Sequence, residues 1–321
     1  MPAPQQEAGA PPAAVGARGG EVRAVLVALL GSSLVGSVPM FATGLYRAGM
    51  DVQSLLFWRY AIALCVLWPL AIRFSSGLGQ EWRLGGMALF LNALTLGMLQ
   101  TYTYFRAVEG MPSSVVVTIF FTYPILTLAL DRFLFGKPVA TGSLAAVALV
   151  FTGALVTGWP ALSFAGGDPI AVACAILTPV GFSIYIAVAY RFTLRTSALA
   201  GAAFIYSGMA VAYASIVLAT GLKPPQGATG WASVLWIAIV GGALQISSFA
   251  YALPRLSAGA YSIIISMELV TVVLLGVAVL GEVLSTWQAM GIALVAAGIV
   301  ADRLARARHA AAGAVAGDRS K

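Results

Sequence analysis

Charge is what this sequence has least of. Only 9% of its 321 residues are Asp, Glu, Lys or Arg, against about 25% in a soluble domain, which excludes an ordinary water-facing surface. Histidine is nearly absent. The single one, His309, lies near the C-terminus, so the interior lacks the commonest general base and metal ligand. The two cysteines, Cys65 and Cys174, sit inside separate apolar runs with no CxxC or Cys/His cluster, and no metal motif follows from them. Without paired acids or histidines, hydrolase and metalloprotease chemistry lose their main parts, and neither cofactor nor metal is expected. The basic surplus, a net charge of +7, sits at the ends of apolar runs rather than in a stripe interleaved with aromatics, so nucleic acid is not an expected partner.

What is abundant is apolar length. With 60% hydrophobic residues and a mean hydropathy of +0.93, the chain reads as an all-α membrane protein whose segments are long enough to cross a bilayer. Ten such segments are expected, at approximately 22–46, 52–73, 84–105, 113–134, 141–158, 169–190, 198–219, 231–251, 259–281 and 286–302. Turn and cap residues separate them: Gly49 and Asp51, Pro112, Asp168-Pro169, Pro224-Pro225, and Ser285 with Gln288 as a capping box. Residues 1–21, rich in Pro, Ala and Gly, read as a flexible tail, and 303–321 as a basic C-terminal tail. With a cytoplasmic N-terminus, only Arg47, Arg106 and Lys223 fall outside, while the other Lys and Arg beyond Arg59 fall inside. That bias puts both termini in the cytoplasm, for a bacterial chain at the inner, or plasma, membrane.

The chain also repeats itself. A shift of 145 positions aligns Gly36 with Gly181, Gly97 with Gly242, Gln100 with Gln245, Gly136 with Gly281, Thr141 with Thr286 and Gly153 with Gly298. Two five-helix units are expected, 22–158 and 169–302, and an odd helix count inverts the second relative to the first. Inverted repeats are the construction of secondary transporters, with a site near the midplane between the halves.

The second unit, and in it Leu280-Gly281-Glu282 followed by the glycine-bearing helix with Gly291 and Gly298, resembles the EamA-type repeat of the drug/metabolite transporter superfamily. The resemblance covers about residues 22–302 and implies ten transmembrane helices, a central cavity and export of small metabolites. The first unit departs from the pattern, with Phe135-Gly136-Lys137 where Leu-Gly-Glu is expected.

Two ionisable residues lie well inside apolar segments, Arg59 and Glu268. Intramembrane charge is costly and ordinarily faces a bundle interior or a cavity with a partner. At 1.5 Å per residue the two sit roughly 10 and 15 Å deep from opposite helix ends, near one level of the membrane. They are candidate substrate ligands, Arg59 for a carboxylate and Glu268 for an ammonium, and Glu268 is also a candidate proton site. Snorkelling of Arg59 and a packing role for a protonated Glu268 are the structural alternatives. Tyr261 shares the broad helix side of Glu268. Tyr123 stands at the repeat equivalent of Glu268, and Gln100 and Gln245 are equivalent to each other. Asn92 and Thr103 lie eleven apart on one side of the third segment, with Thr95 beside them. Tyr123, Gln100, Gln245, Asn92, Thr103 and Tyr261 complete the candidate substrate site. Gly36, Pro39, Pro179 and Gly181 are expected at packing points or hinges. Trp58, Tyr102, Tyr104, Trp236, Phe249, Tyr251 and Tyr261 could build an apolar box, but Tyr104 and Tyr251, near segment ends, fit an interfacial aromatic belt better.

The function expected is a secondary transporter exporting small metabolites, amino acids or similar compounds, by alternating access, with membrane lipid and the small-molecule substrate as partners. A proton-coupled exporter of drugs or other metabolites is the alternative. A channel or an intramembrane transferase is less consistent with the residues present.

Overall fold

The computed structural model describes residues 12–75, 77–111, 113–136, 141–162, 168–256, 258–280 and 285–318. Lys137, Gly281 and Glu282, from the two loop motifs, lie outside them. Among the described residues there is no strand. Seven helices are long and apolar enough to cross a membrane: α1 Gly20–Arg47, α2 Val52–Phe74, α3 Leu78–Gly110, α6 Pro169–Thr193, α7 Ala198–Thr220, α8 Gly227–Arg255 and α9 Ala258–Leu275. Three shorter apolar stretches fill the gaps, α4 Val115–Leu130, α5 Leu144–Thr157 and α10 Thr286–Asp302. Helical backbone begins at Pro12, inside the stretch read as a tail, where proline suits a first turn and the alanines after it favour helix. At the other end α10 continues unbroken to Asp318.

The expected caps form. Asp51 accepts from the Ser54 amide at 2.8 Å and opens α2, and Asp168 accepts from the Ile170 amide at 3.0 Å and opens α6. Ser285 and Gln288 exchange both bonds of a capping box at α10, at 3.0 and 3.2 Å. Gly49 turns at a φ of 89°, which a side chain rarely adopts.

Three helices are broken near their middles. α1 turns at Gly36-Ser37 before Pro39, and α4 at Phe121-Thr122 before Pro124, because a proline in the first turn of the second half lacks the N–H that would continue the ladder. α9 breaks at Ser266 without a proline. There the Ser262 carbonyl accepts from the Tyr123 and Ser266 hydroxyls, at 3.0 and 3.1 Å, while the Ser266 amide goes to Ile263 instead. The breaks at Phe121 and Ser266 stand 145 positions apart. By contrast α6 stays helical through Pro179.

The repeat is visible in the packing. A Cβ added at Gly153 would lie 2.7 Å from the Gly291 carbonyl oxygen and 2.8 Å from Val295 Cγ2, and one at Gly298 would lie 2.8 Å from the Ala146 oxygen and from Val150 Cγ2. Each contact becomes the other on exchanging the units. Along α5 and α10 the contacts advance in opposite directions, so these equivalent helices pack antiparallel. The two-fold relating them is therefore perpendicular to their axes, as inverted repeats require.

The bundle has two distinguishable ends. Asp51, Arg106, Asp168 and Lys223 mark one, and Glu81, Ser75 and Ser197 the other. At the first, Arg106 pairs with Asp168 and lies 3.5 Å from Glu109, and Lys223 lies 3.3 Å from Asp51. At the second, Glu81 accepts from the Ser197 amide at 2.7 Å and hydroxyl at 2.9 Å.

Candidate functional site

Between the repeats lies a cavity open to the centres of water-sized molecules over about 130 Å³, close to the ~150 Å³ of an engineered cavity that admits benzene. Arg59 and Glu268 both line it, with Gln100, Gln245, Tyr261 and Pro39. Arg59 is 8% exposed and Glu268 9%. Among the described residues no ion pair joins them. An arginine and a glutamic acid thus line one space without an ion pair, although removing each in its ionised form from water costs several kcal/mol.

Local backbone explains how Arg59 is held. α3 and α8 each contain a widened π-helical turn, Ala93–Gly97 and Ile239–Leu244, at corresponding places in the repeat and just ahead of Gln100 and Gln245. In the second turn the Gly241 carbonyl accepts from Arg59 Nη2 at 2.6 Å. The guanidinium also lies 5.5 Å from the Phe105 ring centre and 5.6 Å from that of Tyr60, within cation–π reach. Among the described residues its Nε is buried without a partner, as is the hydroxyl of Tyr104, a residue that lines the cavity. An unsatisfied buried donor costs about 1–3 kcal/mol.

Glu268 sits in the first turn after the α9 break. Gly36, at the α1 break, packs on it closely: an added Cβ would be 3.1 Å from the Glu268 carbonyl oxygen and 3.0 Å from Thr271 Cβ. On the first-repeat side Gly181 packs on Gln100, where a Cβ would come within 3.1 Å of the Gln100 Cβ. Both glycines are points of close helix approach.

Three expected site residues lie off the cavity wall because each is engaged between helices. Tyr123, 1% exposed, donates to the Ser262 carbonyl at 3.0 Å. Asn92 donates to the Tyr185 carbonyl at 3.2 Å, and Thr103 accepts from Thr178 at 2.9 Å. Thr95, expected beside them, is exposed and bonds back to Leu91, since the π turn changes the helix phase at that point. Tyr104 is corrected in the other direction: it lines the cavity and meets Phe120 at 5.5 Å instead of forming an interfacial belt. Tyr251 lies under Arg255, 3.9 Å from ring centre to guanidinium carbon.

Sequence reasoning passed over much of the wall. Tyr60 and Tyr206 meet edge to face at 4.9 Å, and Phe120 and Phe182 at 5.1 Å. Only the adjacency of Tyr60 to Arg59 gave a signal in the sequence.

The cavity is lopsided with respect to the repeat. Toward the Glu81 end, Tyr123, Ser183, Thr127 and Ser262 interlock: Ser183 donates to the Tyr123 carbonyl at 3.1 Å and pairs with Thr127 at 3.3 Å. Their equivalents toward the Asp51 end are Glu268, Val38, Val272 and Val117. One half is a buried hydrogen-bonded floor, while in the other Glu268 and Val38 line the open space.

Paired helical repeats with broken helices meeting around a buried charged cavity define the class of a helical membrane transporter. The EamA-like transporter family model matches residues 22–159 and 169–301, and the chain belongs to that family, within the drug/metabolite transporter superfamily. A solved structure titled only as the crystal structure of a protein is similar in fold, with a TM-score of 0.72 at 19% identity, covering 89% of this chain and 98% of that one. No curated protein matches the chain.

Proposed function

We propose that this chain is a secondary transporter that exports amino acids or amino-acid-like metabolites by alternating access. It would cross the bacterial inner membrane ten times with both termini in the cytoplasm, the orientation that the Lys and Arg distribution favours. The observation that carries the substrate class is the pair Arg59 and Glu268, oppositely charged, buried on one cavity and without an ion pair between them. A zwitterion satisfies both ends, its carboxylate at Arg59 and its ammonium at Glu268, and the apolar wall takes a side chain. The volume suits a molecule of about ten heavy atoms or fewer.

The lopsided cavity supports alternating access. In an inverted repeat the opposite state is reached when each unit adopts the conformation of the other. The Tyr123, Ser183, Thr127 and Ser262 cluster is then the closed gate on the cytoplasmic side of the site, and its release opens the site inward.

Glu268 also suits a proton. No hydrogen bond or ion pair holds its carboxylate among the described residues, so proton and ammonium would compete for it, and export would be coupled to the proton gradient.

Counterflow in proteoliposomes tests this function. Labelled amino acids should accumulate transiently against excess unlabelled substrate inside, saturably and with trans-stimulation. Linear, unstimulated uptake would indicate a pore, and exchange confined to substrates with no carboxylate or ammonium would remove the amino-acid assignment.

A further inference from the structure

We propose that Tyr104 is a second ligand for the substrate's acid group and sets the preference for carboxylates over their neutral analogues. This rests on the function proposed above and deepens it. Four buried side-chain polar atoms lack a partner among the described residues: Tyr46 Oη, Arg59 Nε, Asn92 Oδ1 and Tyr104 Oη. Of these, only the Arg59 and Tyr104 atoms belong to side chains on the cavity wall. Both can donate. A neutral tyrosine hydroxyl offers one proton and Arg59 Nε another, and an ionised carboxylate accepts at both of its oxygens.

The two residues line one cavity, and Phe105 links their surroundings. Arg59 is anchored through Nη2 to Gly241 and rests over Phe105, whose ring lies 5.4 Å from that of Tyr104. Glu268 lines the same cavity as Arg59 and Tyr104. A second carboxylate there relieves the Arg59 charge, whereas an amide or ester offers a weaker acceptor and no counter-charge. An ammonium is repelled by Arg59 and must go to Glu268. The same two donors would fit another oxygen-acid anion, and the test therefore varies the acid group alone.

The measurement is equilibrium binding to the purified full chain of leucine, methionine and valine, each beside its carboxamide. Wild type should bind the acids more tightly than the amides. Tyr104→Phe, which keeps the ring and its contact with Phe120, should weaken the acids by roughly tenfold and the amides by less than twofold, at unchanged melting temperature. Arg59→Lys should weaken the acids further than Tyr104→Phe does. A variant that weakens acid and amide equally, or neither, would assign Tyr104 to packing and overturn this inference while leaving the function intact. Should wild type itself bind acids no better than amides, or bind neither, the amino-acid assignment fails, and this inference with it.

Discussion

Arg59 donates from Nη2 to the carbonyl oxygen of Gly241 across 2.6 Å, joining α2 of the first repeat to the π turn of α8 in the second. Gly241 can serve only without a side chain, because a Cβ there would stand 2.2 Å from Val38 Cγ2. The repeat equivalents of these two residues are Phe204 and Leu96, so the arrangement does not recur at the equivalent place, and Arg59 is the one basic residue lining the cavity among the described residues.

Gly241→Ala should therefore do two things. Overpacking against Val38 should cost about 1–3 kcal/mol of stability, and displacement of the carbonyl should free Arg59 and weaken substrate binding. Thermal unfolding in detergent and equilibrium binding check both. Wild-type values in each would mean that the π turn does not position the arginine.

The contact of α5 with α10 should respond symmetrically. Gly153→Ala and Gly298→Ala meet equivalent atoms at nearly equal distances and should lower the melting temperature by similar amounts. Gly291→Ala should lower it more, because its Cβ would fall 2.0 Å from Thr157 Oγ1 and 2.6 Å from the Gly153 carbonyl oxygen. A large loss at one of the equivalent pair and none at the other would contradict the two-fold.

For the closed gate, Tyr123→Phe deletes the hydroxyl that holds Ser262. Loss of one such bond, about 1 kcal/mol, should raise the inward-open population roughly fivefold. Ala187→Cys, one turn beyond Ser183 on α6, provides the readout in a chain with Cys65 and Cys174 replaced. A membrane-impermeant thiol reagent applied from the cytoplasmic side should label it faster in the Tyr123→Phe background. Equal labelling rates would remove Tyr123 from the gate.

The clasps at the Asp51 end carry a pH signature. Burial pushes the Asp51 carboxyl up, but the hydrogen bonds from Ser54 and the Lys223 ammonium outweigh it and leave the carboxyl below its usual range. The Ile170 amide and the Arg106 guanidinium lower Asp168 likewise. A depressed folded value contributes stability above the unfolded carboxylate value of about 3.9, and that stability is lost as pH falls through the folded value. Melting temperature should thus fall below about pH 4, and fall less in the Asp51→Asn/Asp168→Asn double variant. Identical acid limbs would show that the clasps add nothing.

The apolar segments, their caps and the 145-residue repeat were all legible in the sequence, because each rests on composition or on a local spacing rule. So was the placing of Arg59 and Glu268 on one cavity, since intramembrane charge has few places to go. The α9 break was not, because its cause is a hydroxyl from α4 arriving at the Ser262 carbonyl. Tyr123, Asn92 and Thr103 show the same limit at the site. A polar side chain satisfies the same rule whether it faces a cavity or a neighbouring helix, and only packing separates the two. Tyr104 misled in reverse, since its distance from the segment end ignores the wall that Phe105 and Phe120 build around it.

The central claim is that the Glu268 charge serves transport, and Glu268→Gln tests it most directly, by substrate affinity and pH-dependent counterflow in the purified, monodisperse variant. The substitution keeps shape and hydrogen bonding but fixes a neutral group. Loss of the contact with a substrate ammonium, a charge-assisted bond of about 1.5–3 kcal/mol, should weaken binding by roughly tenfold or more, and competition by protons should vanish, so that affinity no longer depends on pH. Unchanged affinity, rate and pH dependence would contradict the account and make Glu268 a packing residue.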